Sequence, residues 1–170
     1  FDGNSSVWNR GKKVLELPSF KEEINTFDLS ETVQNEEISS EYYIEQDHVL
    51  DALVFGIRDY FSKNGFSKCL LGSSGGIDSA VVQALGTIAL GGENVYAVLM
   101  PSEFSSDGSV SDAEQLSKNC GNPYEIIPIK GVYDSYLNAL EPVFKGTKFN
   151  VAEENLQARA RGMMLMAISN

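Results

Sequence analysis

Within a few residues around position 74 the sequence switches from a strand pattern to a helix pattern, and this junction constrains the chain more than any other segment. Residues 66–71 form a short apolar run of strand type, and residues 77–90 repeat their apolar side chains at helical spacing. A glycine- and serine-rich turn, Gly72-Ser73-Ser74-Gly75-Gly76, joins them. The alternation then repeats. Residues 95–100 read as a second buried strand ended by Pro101, and Ser111-Asp112-Ala113-Glu114 reads as a capping box opening a helix through Lys118. A third strand is expected over 124–129, a helix near 132–144, and a last helix from about 151 to 169. Strands alternating with helices at this spacing pair in parallel through right-handed crossovers. The expectation is an α/β fold: an open parallel sheet with helices on both faces.

Charge divides the chain. The first 47 residues hold 4 basic and 11 acidic side chains, most of the net charge of −11. Two short strands around a glycine turn are expected at 6–11 and 14–18, and 25–29 is a candidate third. Such strands make no core alone, so they read as the tail of an upstream domain. Residues 30–46 are acidic and polar and read as a linker. From residue 46 helical spacing begins, with Val49, Leu50, Leu53, Ile57, Tyr60 and Phe61 on the stripe and Asp47 as the expected cap. The boundaries expected are 1–29, 30–46 and 47–170. The chain starts at Phe1 without a signal-peptide pattern and stops at Asn170 in an apolar helical pattern, which reads as a piece of a longer polypeptide.

The acidic excess argues against nucleic acid or an anionic membrane as partner, and no apolar run approaches the length of a membrane span. Cys69 and Cys120 lie at the edges of apolar segments without metal-ligand spacing, and read as reduced packing residues of a cytoplasmic protein. His48, the one histidine, sits at a polar helix start. No Ser–His or Cys–His pair can be assembled.

Chemistry concentrates at the glycine turn. Ligands of open parallel sheets collect at the carboxyl ends of strands, and a helix start presents unpaired N–H groups and the positive end of its dipole. Gly75 and Gly76 leave the backbone uncovered, and Ser73, Ser74 and Ser79 add hydroxyl donors. This is a phosphate cradle without a lysine, distinct from the Walker A and dinucleotide patterns. Asp78 would be repelled by a polyphosphate unless a bridging Mg²⁺ took both sets of oxygens. Its bland alternative is a favourable charge at a helix start.

Ser74-Gly75-Gly76-Ile77-Asp78-Ser79 resembles the signature of the PP-loop ATP pyrophosphatases. That resemblance implies an adenine nucleotide alpha-hydrolase-like fold and cleavage of ATP between the α and β phosphates, with pyrophosphate held in the loop. Residues 99–113, which follow the second strand, and Glu154-Asn155-Leu156-Gln157-Ala158-Arg159-Ala160-Arg161-Gly162 are similar to NAD synthetases, closest to the glutamine-dependent type. Phe1–Ser5 and residues 20–29 look like the end of that family's nitrilase-like glutaminase domain. The resemblance implies ATP held by Gly72, Ser73, Ser74, Gly75, Gly76, Ile77, Asp78 and Ser79, with Mg²⁺ on Asp78 and deamido-NAD on Asn155 and Arg159. It further implies ammonia from glutamine, a homo-oligomer, and no tightly bound organic cofactor. By the same resemblance the end of the second strand lies near adenine.

Read physically, the last helix has Val151, Leu156, Ala160, Met163, Met164 and Ala167 as an apolar packing stripe. Neither Arg159 nor Arg161 has an acidic partner at helical offsets. Their partner is expected to be an anion, or a carboxylate across a subunit boundary; the bland alternative is snorkelling at the surface. Two other functions stay open on the sequence: another PP-loop amidotransferase of GMP or asparagine synthetase type, and a nucleotide-binding module without chemistry.

Overall fold

The computed structural model describes residues 2–28, 38, 45–148 and 150–170, in two compact units, 1–59 and 60–170. In the first unit, β1 (Ser6–Asn9) and β2 (Lys12–Glu16) form an antiparallel pair whose register shifts between Val7 and Trp8. These match the expected strands. Asn25–Asp28 form no strand, and Leu29 lies outside the described residues. Of the expected linker only Ile38, Glu45 and Gln46 are described. Helix α1 (Glu45–Lys63) begins ahead of Asp47, which therefore lies in its first turn rather than capping it. The unit boundary falls within α1.

The second unit holds a parallel sheet of β3 (Cys69–Gly72), β4 (Val95–Leu99) and β5 (Tyr124–Ile126), in the order β3-β4-β5. Helices α2 (Ile77–Leu90), α3 (Asp107–Cys120), α4 (Lys130–Phe144) and α5 (Val151–Ser169) complete it. The expected α/β architecture is present. Val95, Ala97, Val98 and Leu99 of the central strand are all essentially inaccessible, as a parallel strand covered on both faces requires. Its side chains alternate between two cores. Ala97 and Leu99 pack with Ala113 and Val110 of α3. Val98 and Met100 pack with Ile129, Met164 and Leu165, the last two from α5. Gly86 of α2 comes against Val95, where a Cβ would stand 3.6 Å from a valine methyl.

Three boundaries move for identifiable reasons. Phe66 does not enter β3, because its N–H donates to the Phe61 carbonyl at the end of α1, at 2.9 Å, and its ring meets Phe61. β5 stops at Ile126: Ile127 and Ile129 still donate to the carbonyls of Leu99 and Pro101, but Pro101 has no N–H to return to the Ile127 carbonyl. α3 begins at Asp107, ahead of the expected Ser111 box, because Ser106 supplies the cap and accepts from the Ser109 N–H at 3.1 Å. Glu114, the other half of that box, instead accepts from the Tyr124 hydroxyl at 2.8 Å. α5 carries a full capping box that was not anticipated: Asn150 Oδ1 accepts from Ala152 N–H and Glu153 Oε2 from Asn150 N–H.

A buried polar junction ties α2 to α3. Gln83 Nε2 donates to Ser117 Oγ at 3.0 Å and to Asn122 Oδ1 at 2.8 Å, while Asn122 Nδ2 reaches Thr87 Oγ1 and the Gly92 carbonyl. Cys69 and Cys120 are both free thiols, and burial raises the Cys69 pKa, which disfavours the reactive thiolate. No described helix is long and apolar enough to cross a membrane.

Gly75 takes φ +80°, and a Cβ there would overlap the Ser109 carbonyl in the first turn of α3. Gly76 has φ −84° and room for a methyl, the nearest atom being Ser74 Oγ at 3.4 Å. Gly75→Ala is therefore expected to cost at least about 1–2 kcal/mol from the left-handed backbone alone, with more from the overlap. Gly76→Ala should stay within about 1 kcal/mol of the parent. Denaturant titration of both variants reads the difference, and equal effects would contradict the packing of this turn on α3.

Candidate nucleotide site

The turn between β3 and α2 is built from its own serines. Ser79 Oγ donates to the Gly76 carbonyl at 2.9 Å and receives the Ser74 N–H at 3.2 Å. The two hydroxyls of Ser74 and Ser79 lie 3.0 Å apart, and Gly76 N–H donates to Ser74 Oγ at 3.2 Å. These bonds hold the glycine backbone in a fixed arc. Gly76 is the N-cap of α2 and brings no side chain to satisfy the first helical amides, which are left facing outward with the positive end of the dipole. The arc is fixed by these internal bonds and carries the amide chemistry that an anion would need.

Beside it lies a pocket of about 500 Å³. Gly72, Ser73 and Ser74 line one wall; Leu99, Met100 and Pro101, from the end of β4, line the next. Ser105, Ser109 and Val110 contribute from the start of α3, and Ala158, Arg161, Gly162 and Leu165 from α5. The pocket thus opens at the carboxyl ends of two parallel strands. At Gly72 a Cβ would stand 3.1 Å from the Met100 side chain and 3.5 Å from Leu165, so a larger residue would crowd the floor.

Ser73 is 4% exposed, its N–H donates to the Val98 carbonyl at 2.9 Å, and its hydroxyl has no partner among the described residues. A buried hydroxyl left unpaired is uncommon, and this one belongs to a residue of the pocket wall. Asp78 stands exposed in the first turn of α2. Among the described residues no group of three His, Cys, Asp or Glu side chains gathers to hold a metal. One carboxylate fits Mg²⁺, which commonly takes one or two from the protein and the rest from phosphate and water.

The sequence-expected ATP residues 72–79 come together in this one turn. Asn155 and Arg159 are exposed on α5, one turn apart, and do not line the pocket. Arg161 does, with Nε donating to the Met100 carbonyl at 3.1 Å. Burial lowers its pKa from the usual arginine value, though a guanidinium remains charged. Ser105, Ser109, Gly162 and Leu165 were not singled out by sequence reasoning. For Gly162 and Leu165 the available signal was the spacing 158, 161, 162, 165, one face of a helix.

The sequence model of the family described as NAD synthase matches residues 49–170. The chain is 45% identical over 174 residues to a glutamine-dependent NAD(+) synthetase of Synechocystis, covering 100% of the chain and 31% of that protein. It is 50% identical over 127 residues to that of Thermotoga maritima, covering 75% of the chain and 22% of the relative. A structure of glutamine-dependent NAD+ synthetase from Acinetobacter baumannii, in complex with adenosine diphosphate, superposes with a TM-score of 0.92 at 39% identity, covering 100% of the chain and 33% of that chain. The chain spans less than a third of the length of these two curated relatives. A strand-to-helix turn with an uncovered glycine backbone, the match over residues 49–170 and identities of this order converge: the chain belongs to the NAD synthase family.

Proposed function

We propose that the chain is part of a glutamine-dependent NAD synthetase, which amidates the nicotinate carboxylate of deamido-NAD at the expense of ATP. The preformed cradle of residues 73–79, opening onto a pocket large enough for a nucleotide, carries the reading. The ADP complex of the Acinetobacter baumannii relative supports ATP as the nucleotide. The family match favours this reaction over those of GMP and asparagine synthetases.

In the proposed reaction a carboxylate oxygen of deamido-NAD attacks the α phosphorus of ATP. The bond between the α phosphorus and its bridging oxygen breaks, and pyrophosphate leaves into the cradle of 73–79. Ammonia then attacks the acyl carbon of the adenylate, AMP departs with the bridging oxygen and its electron pair, and the nitrogen gives up one proton to solvent to leave the amide. None of this needs a nucleophilic side chain. Fixed amide and hydroxyl donors placed where charge accumulates carry such a transfer by positioning and electrostatics. The unpaired Ser73 hydroxyl and the serines of the turn are such donors.

Mg²⁺, held on Asp78, would neutralise phosphate charge. Asn155 and Arg159 face outward from α5, and there would meet deamido-NAD where it leaves the ATP pocket. Met163 and Met166 on the same helix are 63% and 62% exposed, which favours a second copy of the protein covering this helix. The ammonia would come from glutamine at an upstream domain, of which residues 1–29 would be the end and 30–46 the linker to a synthetase domain starting at 47. Free thiols fit a cytoplasmic setting.

In the full-length protein, Asp78→Ala should lower ATP–pyrophosphate exchange in the presence of deamido-NAD on the order of 100-fold; near-normal exchange would refute the metal role. Arg159→Ala should raise KM for deamido-NAD on the order of 10-fold, while KM for ATP stays within about twofold. Steady-state kinetics with each substrate varied separately checks this, and a shift in both constants together would remove Arg159 from the deamido-NAD site.

A further inference from the structure

The cradle of residues 73–79 contains no lysine or arginine, in a protein with a net charge of −11. Hydroxyls and amides supply direction but little net charge, so a polyphosphate there faces an unfavourable field unless a cation is near. Among the described residues lining the pocket, one is cationic, Arg161, and none is acidic.

Its placement is specific. Nε is fixed on the Met100 carbonyl at 3.1 Å, and this is the one side-chain hydrogen bond Arg161 makes among the described residues. The N–H groups on Nη1 and Nη2 make no bond to a described residue. The Val98 carbonyl of the same strand receives the Ser73 amide at 2.9 Å. Alternate carbonyls of an extended chain point the same way, and Met100 lies two residues beyond Val98, about 6–7 Å along the strand. Arg161 therefore stands on the side of β4 that faces β3, and it lines the same pocket as Ser73 and Ser74. Gly162, the next residue, also lines the pocket and adds no side chain to block the guanidinium.

We propose that Arg161 is a nucleotide-phosphate contact, placing its Nη groups on the phosphate nearest the nucleoside while Nε holds it to β4. This deepens the ATP-dependent reading above and rests on it. The guanidinium supplies the positive charge that the turn lacks, and its bond to Met100 sets its direction before ATP binds. Partial burial, which lowers its pKa, also strengthens its attraction for an anion by excluding water.

Binding of ATP, AMP and adenosine to the full-length protein tests this, by calorimetry on the parent, Arg161→Gln and Arg161→Lys. A glutamine amide still donates to the Met100 carbonyl, so the α5–β4 junction is retained while the charge is lost; thermal unfolding verifies that each variant folds. Arg161→Gln should weaken ATP and AMP roughly 10- to 100-fold and leave adenosine within about twofold. Arg161→Lys should recover part of the loss, and the salt dependence of ATP binding should flatten in the glutamine variant. If all three ligands weaken together, the arginine acts on the base or merely braces the helix, and the proposal fails. It fails equally if none weakens. Should Arg161→Gln not fold, the same ratio of ATP to adenosine losses in Arg161→Lys decides, with equal losses overturning the proposal. Parent protein that binds ATP yet shows no deamido-NAD-dependent exchange would overturn the synthetase reading while leaving the Arg161 contact intact.

Discussion

A Cβ on residue 75 would occupy the space of the Ser109 carbonyl, and the candidate site is arranged around that contact. It brings the turn after β3 against the first turn of α3, two segments that each follow a strand of the same parallel sheet. Parallel pairing puts both turns at one end of the sheet, and the missing side chain lets them touch. Ser74 and Ser79 then lock the turn internally, and Ser106 locks the start of α3. Neither lock uses a group from the opposite segment, so the two are shaped separately and meet at the glycine.

Around this junction, the acidic character of the protein and its ligand stand in tension. Amides at a helix start, serine hydroxyls, a single arginine and a magnesium ion on Asp78 would each contribute a local attraction. None acts over a distance at which the excess of carboxylates dominates. The first 47 residues carry 11 acidic side chains against 4 basic ones, most of the net charge of −11. The proposed chemistry asks for this arrangement, since charge builds up on phosphate oxygens and no covalent intermediate on the protein is formed.

Much of the fold was legible because the physics acting on it is local. The continuous apolar run of β4 shows burial on two faces, and α2 is bounded as expected by Gly76 and Gly91. The turn itself was legible because two glycines and three hydroxyls stand together where a strand pattern gives way to a helix pattern. The start of α3 was not, since the serine-rich stretch 102–111 offers several competing caps, of which Ser106 takes the role through a bond from the Ser109 N–H. Pro101, read from the sequence as the end of the second strand, also ends the pairing of β4 with β5, since it has no N–H to give. The two arginines of α5 look alike in sequence. Two residues apart on a helix they point to nearly opposite sides, and which one turns toward the sheet depends on how Met164 and Leu165 seat against β4.

A crystal structure of the full-length protein with Mg²⁺ and a non-hydrolysable ATP analogue tests the central claim most directly. The account requires the β and γ phosphates within hydrogen-bond distance of main-chain N–H groups between Ser73 and Ser79, in a turn of unchanged backbone. A triphosphate bound elsewhere, or a turn whose amides point away from it, would contradict it.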